Sequence, residues 1–243
     1  MSYVLIIGAK SDIAKACARI YAKNGYNLYL AGRDIDTLND FANDLTVRSN
    51  IKVSLKELNI TDFDTHTQFY DDLDDKPLGT IVVSGFMAEQ KEAEQSWETT
   101  LNTINVNFTG AVSILNIISN DYETRKEGFI VGISSVAGDR GRKANYIYGS
   151  SKSAFSTYLS GLRNRLHECG VNVLTVKPGF VNTKMTEGME LPPKLTVSPE
   201  VVAIDIFNAQ QKGKHILYTK WIWKYIMLII KYIPEFIFKK MSI

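Results

Sequence analysis

Hydrophobic and polar positions alternate along this chain between two regimes. Short, nearly continuous apolar runs at Tyr3–Ile7, Asn27–Ala31, Thr80–Val83, Phe129–Ser134 and Val171–Val176 read as strands buried on both faces. Ile51–Leu58 alternates as a third strand, and His215–Tyr218 closes the series. Between them lie segments with helical spacing. Ala14, Cys17, Ala18 and Tyr21 form one apolar stripe; Leu38, Phe41, Ala42 and Leu45 form a second, which Asp34 is expected to cap. A polar helix is expected over Asp62–Leu73, a long one over Glu94–Asn120, and a short one over Pro199–Gln211. Residues 180–197 read as loop. Strands alternating with helices predict an α/β fold, a single Rossmann-type doubly wound parallel sheet. A domain of residues 1–219 is followed by an amphipathic helical tail, residues 220–243.

Ligands of such sheets bind beyond the carboxyl ends of the strands. There the chain places Gly8–Ala14, Arg33, Asn59, Ser84-Gly85, Ser134-Ser135 and Pro178-Gly179, each after a different strand. The first turn can present backbone N–H groups and a helix N-terminus to a phosphate. Gly8 is the one glycine left of a three-glycine fingerprint, and Asp12 is expected to cap the helix. Tyr148 and Lys152 are four apart in a helical segment and share a face. A cation beside a phenol draws its pKa towards neutrality and makes it a usable acid or base.

In order and spacing, Gly8–Ala14, Asn107, Ser135, Tyr148, Lys152 and Pro178-Gly179-x-Val181-x-Thr183 resemble the short-chain dehydrogenase/reductase family over about residues 3–218. The resemblance implies an oxidoreductase acting on CH–OH or ketone groups, with a catalytic set of Asn107, Ser135, Tyr148 and Lys152. Ser135, thirteen residues before Tyr148, is favoured over Ser134. Ser135 would bond the substrate carbonyl and Tyr148 would deliver the proton. Lys152 would lower the tyrosine pKa and hold the cofactor ribose, and Asn107 would position a water. Cofactor contacts are expected from Gly8, Lys10, Ser11, Asp12, Ile13, Arg33, Asn59, Ile60, Ser84, Gly85, Tyr148, Lys152, Pro178, Gly179, Val181 and Thr183. An acidic residue after the second strand would bind a ribose hydroxyl, and an arginine a 2′-phosphate; Gly32-Arg33 therefore favours NADP(H) over NAD(H). Asn59-Ile60 and Ser84-Gly85 depart from the family's usual aspartate and Asn-Ala-Gly.

Charge changes the picture at one end only. Of an overall +2, the tail from Lys220 carries +4, from five lysines and one glutamate, so the preceding residues carry −2. Lys220, Lys224 and Lys231 fall on one side of the tail helix, and Trp221, Tyr225, Leu228 and Ile229 on another, which suits a membrane surface; the competing reading packs the tail on the domain or on another subunit. Pro234 is suited to start a second helical piece. The strings Leu30–Asp34, Arg142-x-x-Asn145-Tyr146-x-Tyr148 and Lys177–Val181 extend the resemblance to the subgroup that reduces decaprenylphosphoryl-2-keto-ribose at C2. This implies a keto-pentose on polyprenyl phosphate for envelope polysaccharide synthesis, with an FAD-dependent oxidase supplying the ketone, and a homodimer or homotetramer. Reduction of another ketone, such as a 3-oxoacyl thioester, and an NADP-sensing scaffold without turnover stay open.

Other chemistry is not signalled. Two cysteines far apart give no disulfide framework and suit a reducing compartment, so the expected location is cytoplasmic, peripheral to the membrane. His66, His167 and His215 lack metal-ligand spacing, no basic aromatic surface suggests nucleic acid, and no unbroken apolar run approaches the ~18 residues of a bilayer span.

Overall fold

In a computed structural model that describes residues 1–241, seven parallel strands form one sheet. They are β1 (Tyr3–Ile7), β2 (Asn27–Gly32), β3 (Val53–Glu57), β4 (Gly79–Val82), β5 (Phe129–Ile133), β6 (Asn172–Pro178) and, last in the chain, β9 (Ile216–Thr219). Their order is β3-β2-β1-β4-β5-β6-β9, so the chain reverses direction across the sheet between β1 and β4. Residues 180–197 are more ordered than the sequence suggests. Two short strands, β7 (Phe180–Val181) and β8 (Thr196–Val197), pair in parallel and bracket a turn at Lys184–Thr186.

Side-chain alternation along each strand divides the core in two. Val4 and Ile6 point to one face, Leu5 and Ile7 to the other. The first face is covered by α1 (Asp12–Lys23), α2 (Asn39–Ser49) and α8 (Pro199–Gln211) through Ala14, Cys17, Leu45, Val202 and Ile206. The second is covered by α3 (His66–Asp71), α6 (Gly110–Arg125) and α7 (Tyr146–Leu166) through Tyr70, Ile114, Ile118, Tyr122, Phe155 and Leu159. Each fully buried side chain of this size contributes roughly 1.5–3 kcal/mol.

Two expected helices change shape and a third loses its expected cap. The polar helix shrinks to a single turn at Phe63–Thr65 and α3. The long helix starts earlier and breaks, because Ser96 is extended and caps the next segment, its Oγ accepting from the Thr99 N–H. That leaves α4 (Gln90–Gln95), then α5 (Trp97–Ile104), a π-turn at Asn105–Thr109, and α6 without a break. By length and composition this continuous Trp97–Arg125 helix could cross a membrane, with a mean hydropathy of 1.2 in its most apolar window. Here its α6 half buries Ile114, Leu115 and Ile118 against the sheet, as a core helix does. Asp34 does not cap α2: it has left-handed backbone, and its carboxylate accepts from Lys10 Nζ at 3.1 Å. The N–H groups of Asp34 and Ile35 donate instead to the Glu57 carboxylate, which closes this end of β2.

The tail forms α9 (Ile222–Tyr232) and α10 (Glu235–Phe238), with Pro234 between them as expected. Its last two residues, 242–243, lie outside the described residues. Rather than standing clear, α9 buries Trp223 and Met227 against Val136, Phe180 and Leu195. Trp221, Tyr225, Leu228, Ile229 and Tyr232 on its opposite side are exposed. Arg140 fastens the arrangement. Its Nη1 donates to the carbonyls of Ile230 and Ile233, its Nη2 pairs with Glu235, and its guanidinium lies 3.7 Å from the Phe238 ring centroid. Charge-assisted hydrogen bonds of this kind are worth about 1.5–3 kcal/mol. Arg140→Ala is expected to lower stability by about 2–3 kcal/mol and to raise hydrogen exchange selectively across residues 222–238. Unchanged protection there would show that the tail is held without it.

Candidate active site

One cleft at the carboxyl ends of β1, β4, β5 and β6 holds a cavity of about 280 Å³. Twelve of the expected site residues line it: Lys10, Ser11, Asp12, Ile13, Gly85, Ser135, Tyr148, Lys152, Pro178, Gly179, Val181 and Thr183. Gly8, Arg33, Asn59, Ile60, Ser84 and Asn107 stand outside its lining.

The turn after β1 carries the features a dinucleotide phosphate needs. Gly8 has φ +83°, and a Cβ there would lie 2.6 Å from the Ser84 backbone nitrogen, so neither conformation nor space admits a side chain. Ser11, not Asp12, caps α1: its Oγ accepts from the Ala14 N–H at 3.1 Å. Asp12 is the first helical residue, and its carboxylate accepts from the Lys184 N–H at 2.9 Å. It therefore ties the segment after β7 to the phosphate turn, a link across 172 residues that capping preferences cannot reveal. Ser84 Oγ is buried with no partner beside this turn. These residues fit a dinucleotide. Arg33 is exposed at the end of β2, whereas Lys10 is engaged with Asp34 in an exposed ion pair of the kind worth at most about 1 kcal/mol. Asn59 is also exposed and closes a local turn, its Oδ1 accepting from the Thr61 N–H and hydroxyl.

The reacting end is built where β5 meets α7. Ser134 is structural: its Oγ donates to the Lys152 carbonyl and bonds Ser156 Oγ at 2.7 Å, locking the helix to the strand. Ser135 then faces the cleft, with its Oγ accepting from the Ala137 N–H. Lys152 is 3% exposed, and its Nζ donates to the Ile133 carbonyl at 3.1 Å. The Nζ lies 5.8 Å from the Tyr148 ring centroid. Burial pulls the ammonium down to about 8 and pushes the phenol up to about 12, the latter opposed by a hydrogen bond with Ser135. The shift of Tyr148 thus runs opposite to the one expected from a neighbouring cation, because desolvation raises it and the Ser135 hydrogen bond opposes that rise only in part.

Asn107 is 1% exposed at the π-turn. Its Nδ2 donates to the Thr103 and Phe86 carbonyls, and its Oδ1 accepts from the Phe86 N–H. The amide thus clamps the segment after β4, and only the second lone pair of Oδ1 is left for anything else. A Cβ on neighbouring Gly85 would lie 3.3 Å from that Oδ1 and 3.5 Å from Lys152 Nζ, so the two side chains converge there.

Several cleft residues escape sequence reasoning. Met87, Met185 and Met189 are soft apolar walls with no motif to announce them. Trp223 reaches the cleft from the tail, packing so closely that a Cβ on Gly179 would sit 1.9 Å from its Nε1. Arg142 and Asn145 line the cleft as well.

A seven-stranded Rossmann-type sheet with this serine, tyrosine and lysine at its carboxyl edge defines an oxidoreductase of CH–OH and ketone groups. The chain belongs to the short chain dehydrogenase family, whose model matches residues 2–192. It is 34% identical over 241 residues, covering 98% of this chain and 96% of the relative, to an uncharacterised oxidoreductase of Mycobacterium tuberculosis. A second uncharacterised oxidoreductase, from Myxococcus xanthus, is 30% identical and covers 79% of this chain and 78% of its own. Among solved structures, a short-chain dehydrogenase from Sphingobium yanoikuyae in complex with NADPH superposes with a TM-score of 0.84 at 21% identity, covering 97% of each chain. A 3-oxoacyl-[acyl-carrier protein] reductase with bound NAD from Brucella melitensis gives 0.79 at 19% identity, covering 89% of this chain and 88% of that one. At these identities the likeness is one of fold.

The buried ammonium makes a testable pair of statements. Below pH 8 Lys152 is charged in both folded and unfolded chains, and the fold bears the burial penalty, roughly 3 kcal/mol for the fall from 10.5 to about 8. Between about 8 and 10.5 only the unfolded chain holds the proton, so this contribution to stability rises with pH. Lys152→Met is expected to be inactive, yet more stable than the wild type at pH 7 by urea denaturation, with the gap closing as pH rises towards 10. A gap that stays constant across that range would contradict the burial cost.

Proposed function

We propose that this protein is an NADP(H)-dependent ketone reductase whose substrate is a keto-pentose carried on polyprenyl phosphate, reduced at C2. One observation carries the reading: a polar reacting end at Ser135 and Tyr148 is continued by an apolar wall of Phe180, Met185, Met189 and Trp223. That combination suits a small polar ketone joined to a long hydrocarbon.

When bound, the nicotinamide cofactor supplies the hydride. The chain's residues do the rest. Gly8, Ser11 and Ile13 would hold the pyrophosphate at the N-terminus of α1, and Arg33 would meet a 2′-phosphate. The neighbours with NADPH and with NAD occur on the same fold, so Arg33 is what favours NADP(H). Ser135 would donate to the carbonyl oxygen. Tyr148, protonated throughout the physiological range because its pKa stands near 12, would give its proton to that oxygen. Lys152 would hold the cofactor ribose and stabilise the phenolate left behind, which matters more for a phenol raised by burial. Asn107 would keep Phe86 and Gly85 in place beside Lys152. The ketone would come from a separate FAD-dependent oxidase acting on the corresponding alcohol.

The tail extends the reading to a membrane surface. Outward Trp221, Tyr225, Ile229 and Tyr232 stand beside exposed Lys224, Lys231, Lys239 and Lys240, and the single acid among them, Glu235, is already paired with Arg140. Aromatic rings and lysines are the side chains that settle at an anionic headgroup layer. The protein would then work at the cytoplasmic face of the membrane.

Turnover of NADPH with a farnesylphosphoryl-2-keto-ribose, followed by absorbance, tests the reaction. Tyr148→Phe is expected to lower kcat by at least two orders of magnitude while NADPH binding persists; an unchanged kcat would remove Tyr148 as the acid. Arg33→Ala is expected to raise KM for NADPH about tenfold or more and to leave KM for NADH within a factor of about two. Faster turnover of a 3-oxoacyl thioester than of the keto-sugar would reassign the substrate. For the membrane, Tyr225→Glu with Ile229→Glu should release the protein from anionic vesicles without loss of NADPH binding. These outer-face changes are preferable to deleting the tail, which would also remove Trp223 from the cleft.

A further inference from the structure

Among the partly buried arginines of this protein, Arg142 stands apart. Other arginines that are partly enclosed spend their donors on the chain: Arg125 on the Pro77 carbonyl and Asp121, Arg140 on the carbonyls ending α9, Arg163 on the Val173 and His215 carbonyls. None of the ion pairs among the described residues includes Arg142, and its Nε is buried with no hydrogen-bond partner. Asp139 is the one acid near enough to influence it, but that carboxylate is already engaged by Lys177 Nζ and the Tyr218 hydroxyl. Burial holds the guanidinium below its ordinary pKa. Three residues on, at the residue before α7, Asn145 Oδ1 is likewise buried and unpartnered.

Both residues line the cleft that holds Ser135 and Tyr148. Buried polar groups are almost always paired, and a buried Nε–H left without a partner costs free energy that a ligand can return. The cofactor is not that ligand. Its phosphates belong with the turn after β1 and with Arg33 after β2, whereas Arg142 lies between β5 and α7, six residues ahead of Tyr148. What meets Arg142 enters with the substrate. A planar guanidinium matches a phosphate with two parallel N–H donors, and an adjacent amide oxygen accepts from a hydroxyl. The apolar walls of Met185, Met189 and Trp223 share the same cleft.

We propose that Arg142 is the anion anchor of the substrate subsite and takes a phosphate ester, with Asn145 accepting from a hydroxyl of the same molecule. The proposal rests on the reductase reading given above and deepens it: the substrate must be charged close to its ketone. It also predicts discrimination, since a neutral ketone leaves the guanidinium unpaired and is rejected for that reason.

Calorimetric titration of the full chain, with NADPH present, against decyl phosphate and decanol separates charge from chain. The wild type is expected to bind decyl phosphate more tightly than decanol. Arg142→Gln should weaken decyl phosphate at least tenfold and leave decanol and NADPH within about twofold. Arg142→Lys, which keeps the charge and is the safer variant for folding, should fall between. Lys143→Gln, the exposed neighbour, should change nothing. Decyl phosphate binding that ignores Arg142, or a parallel loss of decyl phosphate, decanol and NADPH, would overturn the anchor. The two readings fail separately. Arg142-dependent binding without turnover of any ketone would sink the reductase and keep the anchor, and Tyr148-dependent turnover with Arg142-independent anion binding would do the reverse.

Discussion

The ammonium of Lys152 is the constraint around which the site is arranged. A charge 3% exposed must be placed with care, because its solvation is lost and, among the described residues, its Nζ hydrogen-bonds the Ile133 carbonyl alone. The neighbouring parts answer to that placement. Ser134 grips the Lys152 carbonyl and Ser156, fixing α7 in register with β5. Asn107 holds Phe86 so that Gly85 lies against both side chains. Ser135 and Tyr148 inherit their positions from these two restraints. A site on a rigid strand end and a helix is held more narrowly than one on loops, and here the rigidity comes from the need to shelter one charge.

The sheet was readable because parallel strands buried on both faces leave unbroken apolar runs, as in Tyr3–Ile7 and Phe129–Ile133. The reacting residues were readable because helical and strand-end spacing brings Ser135, Tyr148 and Lys152 to one edge. What stayed hidden depends on partners distant in the chain. Asp12 has the composition of a helix cap, and only the fold shows it holding Lys184. Asp34 likewise yields its expected capping role, because its backbone is left-handed and Glu57 gathers the N–H groups of Asp34 and Ile35 instead. The direction of the Tyr148 shift depends on burial, which spacing does not report. Arg142 stands in a string that extends the family resemblance, but the lack of a partner for its Nε exists only in three dimensions.

The family membership and the local chemistry address different questions. A shared fold leaves the substrate to the cleft. In this chain the cleft joins an unpaired guanidinium to methionine and tryptophan surfaces, and its phosphate turn is cross-tied to the segment after β7 by Asp12. The turn after β1 and the segment after β7 are therefore mechanically linked.

The contact of Trp223 with Gly179 has a consequence for how such an enzyme can diversify. The indole belongs to the last stretch of chain, well after the strands and helices that carry the chemistry, yet it forms part of the cleft wall. Part of the cleft wall is thereby supplied by a helix outside the sheet, packed on Val136 next to Ser135. A change in how that helix packs would therefore reshape the cleft without altering the strand and helix that carry Ser135, Tyr148 and Lys152.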